Sequence, residues 1–115
     1  MSDTTLLFTD IQGSTRLLER RGEDAYGDVL ALHHEAMRIA IAAHAGEEIG
    51  TEGDSFFVLF DDARAGVAAA VDAQRNLAAA PWPDGDAVRV RMGLHTGPVA
   101  RTGGNLVGMA IHTAA

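Results

Sequence analysis

Asp10 follows one short apolar run and Asp54 precedes another. Paired carboxylates suit a hard divalent cation such as Mg²⁺, which takes oxygen ligands and completes its shell with phosphate oxygens. Two such ions lie ~3.5–4 Å apart in phosphoryl-transfer sites. Gly13 comes soon after Asp10, and a helix is predicted to begin at Ser14 or Thr15. Backbone amides at a helix N-terminus point outward and favour phosphate. A metal site and an anion site would then be adjacent, as a nucleoside triphosphate requires. Each aspartate also has an ordinary reading. Asp at a strand end forms turns and caps helices, and Gly53-Asp54 is common hairpin chemistry. The fold decides between these readings, according to whether it brings the two carboxylates together.

The elements that would position them follow from the hydrophobic pattern. Residues 4–9 (TTLLFT) form an apolar, β-branched run without helical period and predict a buried strand. Ser14 or Thr15 can cap the helix that carries Leu17 and Leu18. After Gly22 a longer helix is predicted from about Glu23 to His44, with Tyr26, Leu30, Met37 and Ile41 in three-to-four steps. Residues 47–50 predict a short strand, 51–54 a tight turn, and 55–60 (SFFVLF) the clearest strand of the chain. Asp61 or Asp62 caps an alanine-rich helix that places Val67, Val71 and Leu77 on one face and ends at Pro81-Trp82-Pro83. Val88, Val90, Met92 and Leu94 then alternate with Arg89, Arg91, Gly93 and His95, a strand with one buried face. Beyond Gly97 the chain reads as Gly-rich and loose until a helix begins at Met109.

This order, β-α-α-β-β-α-β, predicts an α+β, ferredoxin-like (split βαβ) sandwich with an antiparallel sheet and helices on one face. Right-handed crossovers make the first and third strands central neighbours. The end of the first strand then lies beside the start of the third, and Asp10 and Asp54 meet at one edge of the sheet.

Composition restricts the partners. A chain of 115 residues fits one domain, and 47% hydrophobic residues fill a core. With no cysteine, disulfide and thiolate metal sites are excluded. The net charge of −7 argues against nucleic acid as a partner. No run has the length of a membrane span, so the expected setting is cytoplasmic. All nine basic residues are arginine.

Three segments resemble bacterial class III adenylate and guanylate cyclases. Residues 8–15 (FTDIQGST) are similar to the family's F-T-D-I-x-G-S-T opening. Residues 51–56 (TEGDSF) are similar to its T-x-G-D-x-F hairpin, and 91–97 (RMGLHTG) to its R-x-G-L-H-T-G segment. The resemblance covers nearly the whole chain. It implies a catalytic domain that makes cAMP or cGMP from ATP or GTP for intracellular signalling, and that works as a homodimer with active sites at the interface. It implies two Mg²⁺ or Mn²⁺ ions held by Asp10, Asp54 and the carbonyl of Ile11, with the triphosphate on the loop through Gly13, Ser14 and Thr15.

The departures from the family pattern lie on the base-reading side. The purine-reading lysine position is Gly50. Its partner aspartate position is Asn105, which still offers hydrogen bonds to a purine edge. The ribose-orienting asparagine position is His112, which can donate to a ribose or phosphate oxygen or stand as a helix-end histidine. The transition-state arginine position falls one residue past Ala115. The expectation is therefore a cyclase-like domain over residues 1–115 without the C-terminal part of the family domain, inactive alone and active in the full-length protein. The alternative is a regulatory or dimerisation module that binds metal and nucleotide without turnover.

Other residues have structural readings. His33 and His34 sit mid-helix, one of them on the apolar stripe, and packing is the expected role. His95 is expected to make a structural hydrogen bond, and Trp82 to cover a sheet edge. Residues 53–60 resemble the third strand of an RNA-recognition motif, but Glu52 stands where that motif needs Lys or Arg. The same hairpin also resembles that of diguanylate cyclases; the opening at 8–15 fits class III better.

Overall fold

A computed structural model describes residues 3–83, 88–98, 100–102 and 105–107. Along the chain run β1 (Asp3–Ile11), α1 (Ser14–Arg21), α2 (Glu23–Ala43), β2 (Glu47–Glu52), β3 (Ser55–Phe60), α3 (Ala63–Ala79), β4 (Val90–Pro98), β5 (Ala100–Thr102) and β6 (Asn105–Val107). The first four strands form one sheet in the order β2-β3-β1-β4. Every pairing in it is antiparallel. The ferredoxin-like order and the central β1–β3 pair are as predicted.

Alternation along β1 explains the layering. Leu7 and Ile11 join Phe56, Val58 and Phe60 of β3 and Val90 of β4 in the core. Met37, Ala40 and Ile41 of α2 and Ala69, Ala73 and Leu77 of α3 cover them. The register puts Leu6, Phe8, Phe57 and Leu59 on the opposite face. There the rings of Phe8 and Phe57 lie 4.8 Å apart.

The helices differ from expectation in one instructive place. Val67 and Val71 are exposed, while Leu77 is buried as expected and Gly66, Ala69 and Ala73 turn inward with it. A Cβ at Gly66 would lie 2.8 Å from Thr5 Cγ2, so α3 sits too close to β1 for a branched side chain on that face. Asp62 caps α3 by accepting from the Ala65 amide at 2.8 Å. Asp72 binds His44 at 2.6 Å and Asn76 donates to the Ala36 carbonyl at 3.1 Å, tying α3 to α2.

Trp82 packs against the core and donates to the Leu77 carbonyl at 2.8 Å, which closes the end of α3. One further expectation changes. The stretch beyond Gly97 is not wholly loose, since β5 and β6 pair as a short hairpin. Three-residue strands between glycines carry too little pattern to be read from sequence.

Candidate functional site

The site grows from the paired ends of β1 and β3. Thr9 pairs with Phe56, so the next two residues of β1 run alongside the turn before β3. Asp54 occupies that turn, and its Oδ2 accepts the Ile11 amide at 2.9 Å. A side chain thus replaces the next rung of the ladder. The turn needs Gly53, whose φ of 54° is costly for residues with a Cβ. The two aspartates are together, as the topology predicts.

Asp10 is held differently. It lies opposite Arg91 of β4 in register. Arg91 Nε donates to Oδ1 and a terminal guanidinium nitrogen to Oδ2, both at 2.7 Å. This fork geometry is the strongest form of an arginine–carboxylate pair. Arg91 is held more firmly protonated by its hydrogen bonds to Asp10, by the charge of Asp10 and then by that of Asp54. One guanidinium therefore senses both carboxylates.

The loop after β1 presents its amides. Gly13 is the N-cap of α1, in a left-handed conformation and without a side-chain cap. Ser14 is the first helical residue and does not cap. Its side chain bonds Tyr26 of α2 instead. Burial, and then the charge of Asp54, push the Tyr26 phenol up, while the bond to Ser14 opposes them. The first turn of α1 carries no acidic residue, which leaves its positive dipole end uncompensated. A cleft of about 330 Å³ beside this loop is lined by Gln12, Gly13, Arg16, Arg20 and Arg89, among others, with no carboxylate.

Behind the turn stands α2. His34 Nε2 lies 2.9 Å from the Gly53 carbonyl oxygen, which can only accept. His33 is fully buried, with its ring 5.5 Å from Phe56 and 5.4 Å from His34. Among the described residues neither of its ring nitrogens has a hydrogen-bond partner, nor does the buried Thr9 hydroxyl. Burial chiefly, and then the nearby His34, push the His33 imidazole down to about 4 against the pull of Asp54. Packing for His33 agrees with the sequence reading.

The remaining expected residues are spread more widely. Gly50 lies on β2 opposite Phe57 and beside a register shift, with no side chain to offer. Asn105 begins β6, opposite Thr102. His112 lies outside the described residues. His95 pairs with Leu6, well down β1 from Asp10, so it does not approach the carboxylates. Thr15 is exposed at the start of α1. Sequence reasoning missed Tyr26, His34 and Arg91. Only Arg91 left a signal, as part of the motif at 91–97.

Asp10, Asp54 and nearby backbone carbonyls are an all-oxygen donor set, which fits Mg²⁺ or Mn²⁺ and not a soft metal. Among the described residues no three His, Asp or Glu side chains cluster. The protein would thus fill only part of a metal's shell, leaving places for water and phosphate, the usual arrangement for Mg²⁺.

The chain belongs to the adenylate and guanylate cyclase catalytic domain family, whose profile matches residues 1–110. An adenylate cyclase of Schizosaccharomyces pombe is 37% identical over 79 residues, 69% of this chain but 5% of its own length. The chain therefore spans a small part of that relative. Among solved structures, an adenylate cyclase from Trypanosoma brucei, in its monomeric state, superposes with a TM-score of 0.88 at 24% identity. That match covers 99% of this chain and 67% of the other. A guanylate cyclase domain from Catenaria anguillulae, solved in complex with GTP, superposes with a TM-score of 0.85 at 21% identity, covering 98% and 70%. The fold is that of the class III cyclases. No helix among the described residues is long and apolar enough to cross a membrane.

Proposed function

We propose that this chain carries the metal- and triphosphate-binding part of a nucleotide cyclase that converts ATP or GTP to the cyclic nucleotide and diphosphate. The observation that carries the reading is the meeting of Asp10 and Asp54 at one sheet edge, next to the uncapped start of α1. Asp10, Asp54 and the Ile11 carbonyl would hold two Mg²⁺ or Mn²⁺ ions. Bound there, the ions supply positive charge that neutralises the triphosphate and favours ionisation of the ribose 3′-hydroxyl. The amides of Gly13, Ser14 and Thr15 hold the phosphate chain. The arginines of the adjoining cleft add cationic charge beside it. In the reaction the 3′-oxygen bonds to the α-phosphorus as the bond to diphosphate breaks, and the hydroxyl proton passes to solvent.

Base recognition is the weak half of the site. Gly50 offers no side chain, and Asn105 hydrogen-bonds either purine with little preference. His112 orients the ribose or a phosphate oxygen. The full-length protein works as a homodimer in the cytoplasm. Support for the dimer comes from the partly exposed apolar side chains Phe8, Phe57 and Leu59 on the sheet face away from the helices.

The absence of the usual base-reading pair at Gly50 and Asn105 favours one second reading, a regulatory module that binds nucleotide without turnover. Full-length protein supplied with Mn²⁺ and ATP or GTP separates the two. Cyclic product above an Asp10→Ala control is expected. Tight, Mn²⁺-dependent nucleotide binding without product would establish the module instead.

A further inference from the structure

We propose that His34 is a positioning residue for Asp54, tethering the Gly53 carbonyl to α2 and so fixing the turn that aims the carboxylate. The inference rests on the reading of Asp54 as a metal ligand.

The turn needs such an anchor. Among the described residues β2 pairs only with β3, and its register shifts between Glu48 and Gly50. An edge strand with an irregular ladder restrains the far end of its hairpin weakly. The body of α2 is well fixed, because Met37, Ala40 and Ile41 are buried in the core. A contact from α2 to the turn therefore carries the rigidity of the core to Asp54.

The ring of His34 is oriented for this contact. It meets Phe56 edge-on, with centroids 5.4 Å apart and planes at 88°. Nε2 then lies 2.9 Å from the Gly53 oxygen. The same helix grips the hairpin one turn later. Arg38 lies over the Phe56 ring, its guanidinium 5.6 Å from the centroid, and pairs with Glu48 at 3.0 Å. Glu48 in turn accepts from the Thr51 hydroxyl. These contacts hold the strands of the hairpin; among the described residues, His34 is the one whose side chain reaches the backbone of the turn itself.

The chemistry of the bond makes the role specific. A carbonyl oxygen accepts only, so Nε2 must carry the proton. The neutral Nε2–H tautomer and the imidazolium both satisfy this. A phenyl ring keeps the packing against Phe56 and loses the bond. A glutamine loses the ring and keeps an N–H donor of similar reach.

The test compares His34→Ala, His34→Phe and His34→Gln in the full-length protein, with Leu77→Ala as a control. Leu77 is buried on α3, which carries neither His34 nor the turn, so its truncation lowers stability without removing the tether. Two readouts are taken: Mn²⁺ affinity by electron paramagnetic resonance, and amide exchange at Ile11 by NMR without metal. Ile11 reports directly, because its amide is bonded to Asp54. Residues that orient a metal ligand typically contribute 10–100-fold in affinity. His34→Phe and His34→Ala are expected to weaken Mn²⁺ binding by roughly tenfold and to speed Ile11 exchange. His34→Gln should recover most of both, and Leu77→Ala should leave Mn²⁺ affinity near wild type.

Unchanged Ile11 exchange in His34→Phe overturns the proposal, whatever happens to Mn²⁺. Faster exchange with unchanged Mn²⁺ affinity overturns it too, because the tether then does not aim the ligand. So does an equal loss of affinity in Leu77→Ala, which would assign the effect to general stability. If the wild type binds no Mn²⁺, the metal reading of Asp54 fails. Ile11 exchange then decides the tether alone: faster in His34→Phe supports it, and unchanged rejects it. Should His34→Ala not fold, the Phe and Gln variants carry the comparison.

Discussion

Asp10 and Asp54 sit side by side yet are restrained by opposite means. Asp10 belongs to a central strand and is clamped by a cation, with both of its oxygens on Arg91. Asp54 belongs to a turn, and its carboxylate is held by a backbone amide instead of a cation. The Ile11 amide takes one of its oxygens, and His34 steadies the neighbouring carbonyl. A cation bonded to the carboxylate competes with an incoming metal ion, whereas an amide on the carboxylate and a tether on the neighbouring carbonyl aim the ligand without occupying it with a counter-charge. Removing the two kinds of holder should therefore shift metal affinity in opposite directions.

The largest expected effect treats the carboxylates as equals. On the proposed function, Asp10→Ala or Asp54→Ala would each remove a metal ligand, with several kcal/mol of charge stabilisation and roughly 10³-fold in cyclase turnover lost. A full-length assay in which one variant keeps near-normal turnover would break the pairing.

The next effect belongs to the Asp54 side alone. His33 is neutral in the folded chain down to about pH 4 and titrates near 6.5 once unfolded. Between these values the unfolded state binds a proton that the folded state refuses, so stability falls as pH drops from 6.5 to 4 and levels off below. The full loss is of order 3 kcal/mol. Urea unfolding midpoints across this range would measure it, and His33→Leu should flatten the His33 part of the slope. A slope unchanged in that variant would mean other groups carry the acid sensitivity.

The smallest effect is the most discriminating. The Arg91–Asp10 pair is largely exposed on the arginine side, so Arg91→Ala should change stability little. Without nucleotide, the same variant should bind Mn²⁺ several-fold more tightly, where the His34 variants bind it more weakly. Calorimetric titration would expose a shared sign, which would end the distinction between the two holders.

Much of the architecture was legible in the sequence because it depends on order and alternation. The β-α-α-β-β-α-β order required β1 and β3 to be neighbours, and that alone brought Asp10 to Asp54. The holders were not legible. Arg91 faces Asp10 through the β1–β4 register, and that register depends on where β4 begins, two residues later than the alternation indicated. His34 reaches Gly53 through the rotation of α2 about its axis, which leaves no trace in spacing. Val67 and Val71 misled because a hydrophobic count rewards bulk, whereas the closeness of α3 to β1 rewards small residues. On the base-reading side, the positions of Gly50 and Asn105 came from the family resemblance, and the short β5–β6 hairpin carried no periodic signal.

The substitution of the Asp54 side chain for a ladder rung also links the site to folding. Residues 10 and 54 come from distant parts of the chain and become neighbours only when β1 and β3 have paired in register. An unfolded chain offers a cation two separated carboxylates and no bridge. An ion held by both carboxylates, as proposed, would therefore bind the native state alone, and its binding free energy would add to the stability of the fold. Cellular metal supply would then set how long the domain survives as well as how fast it works.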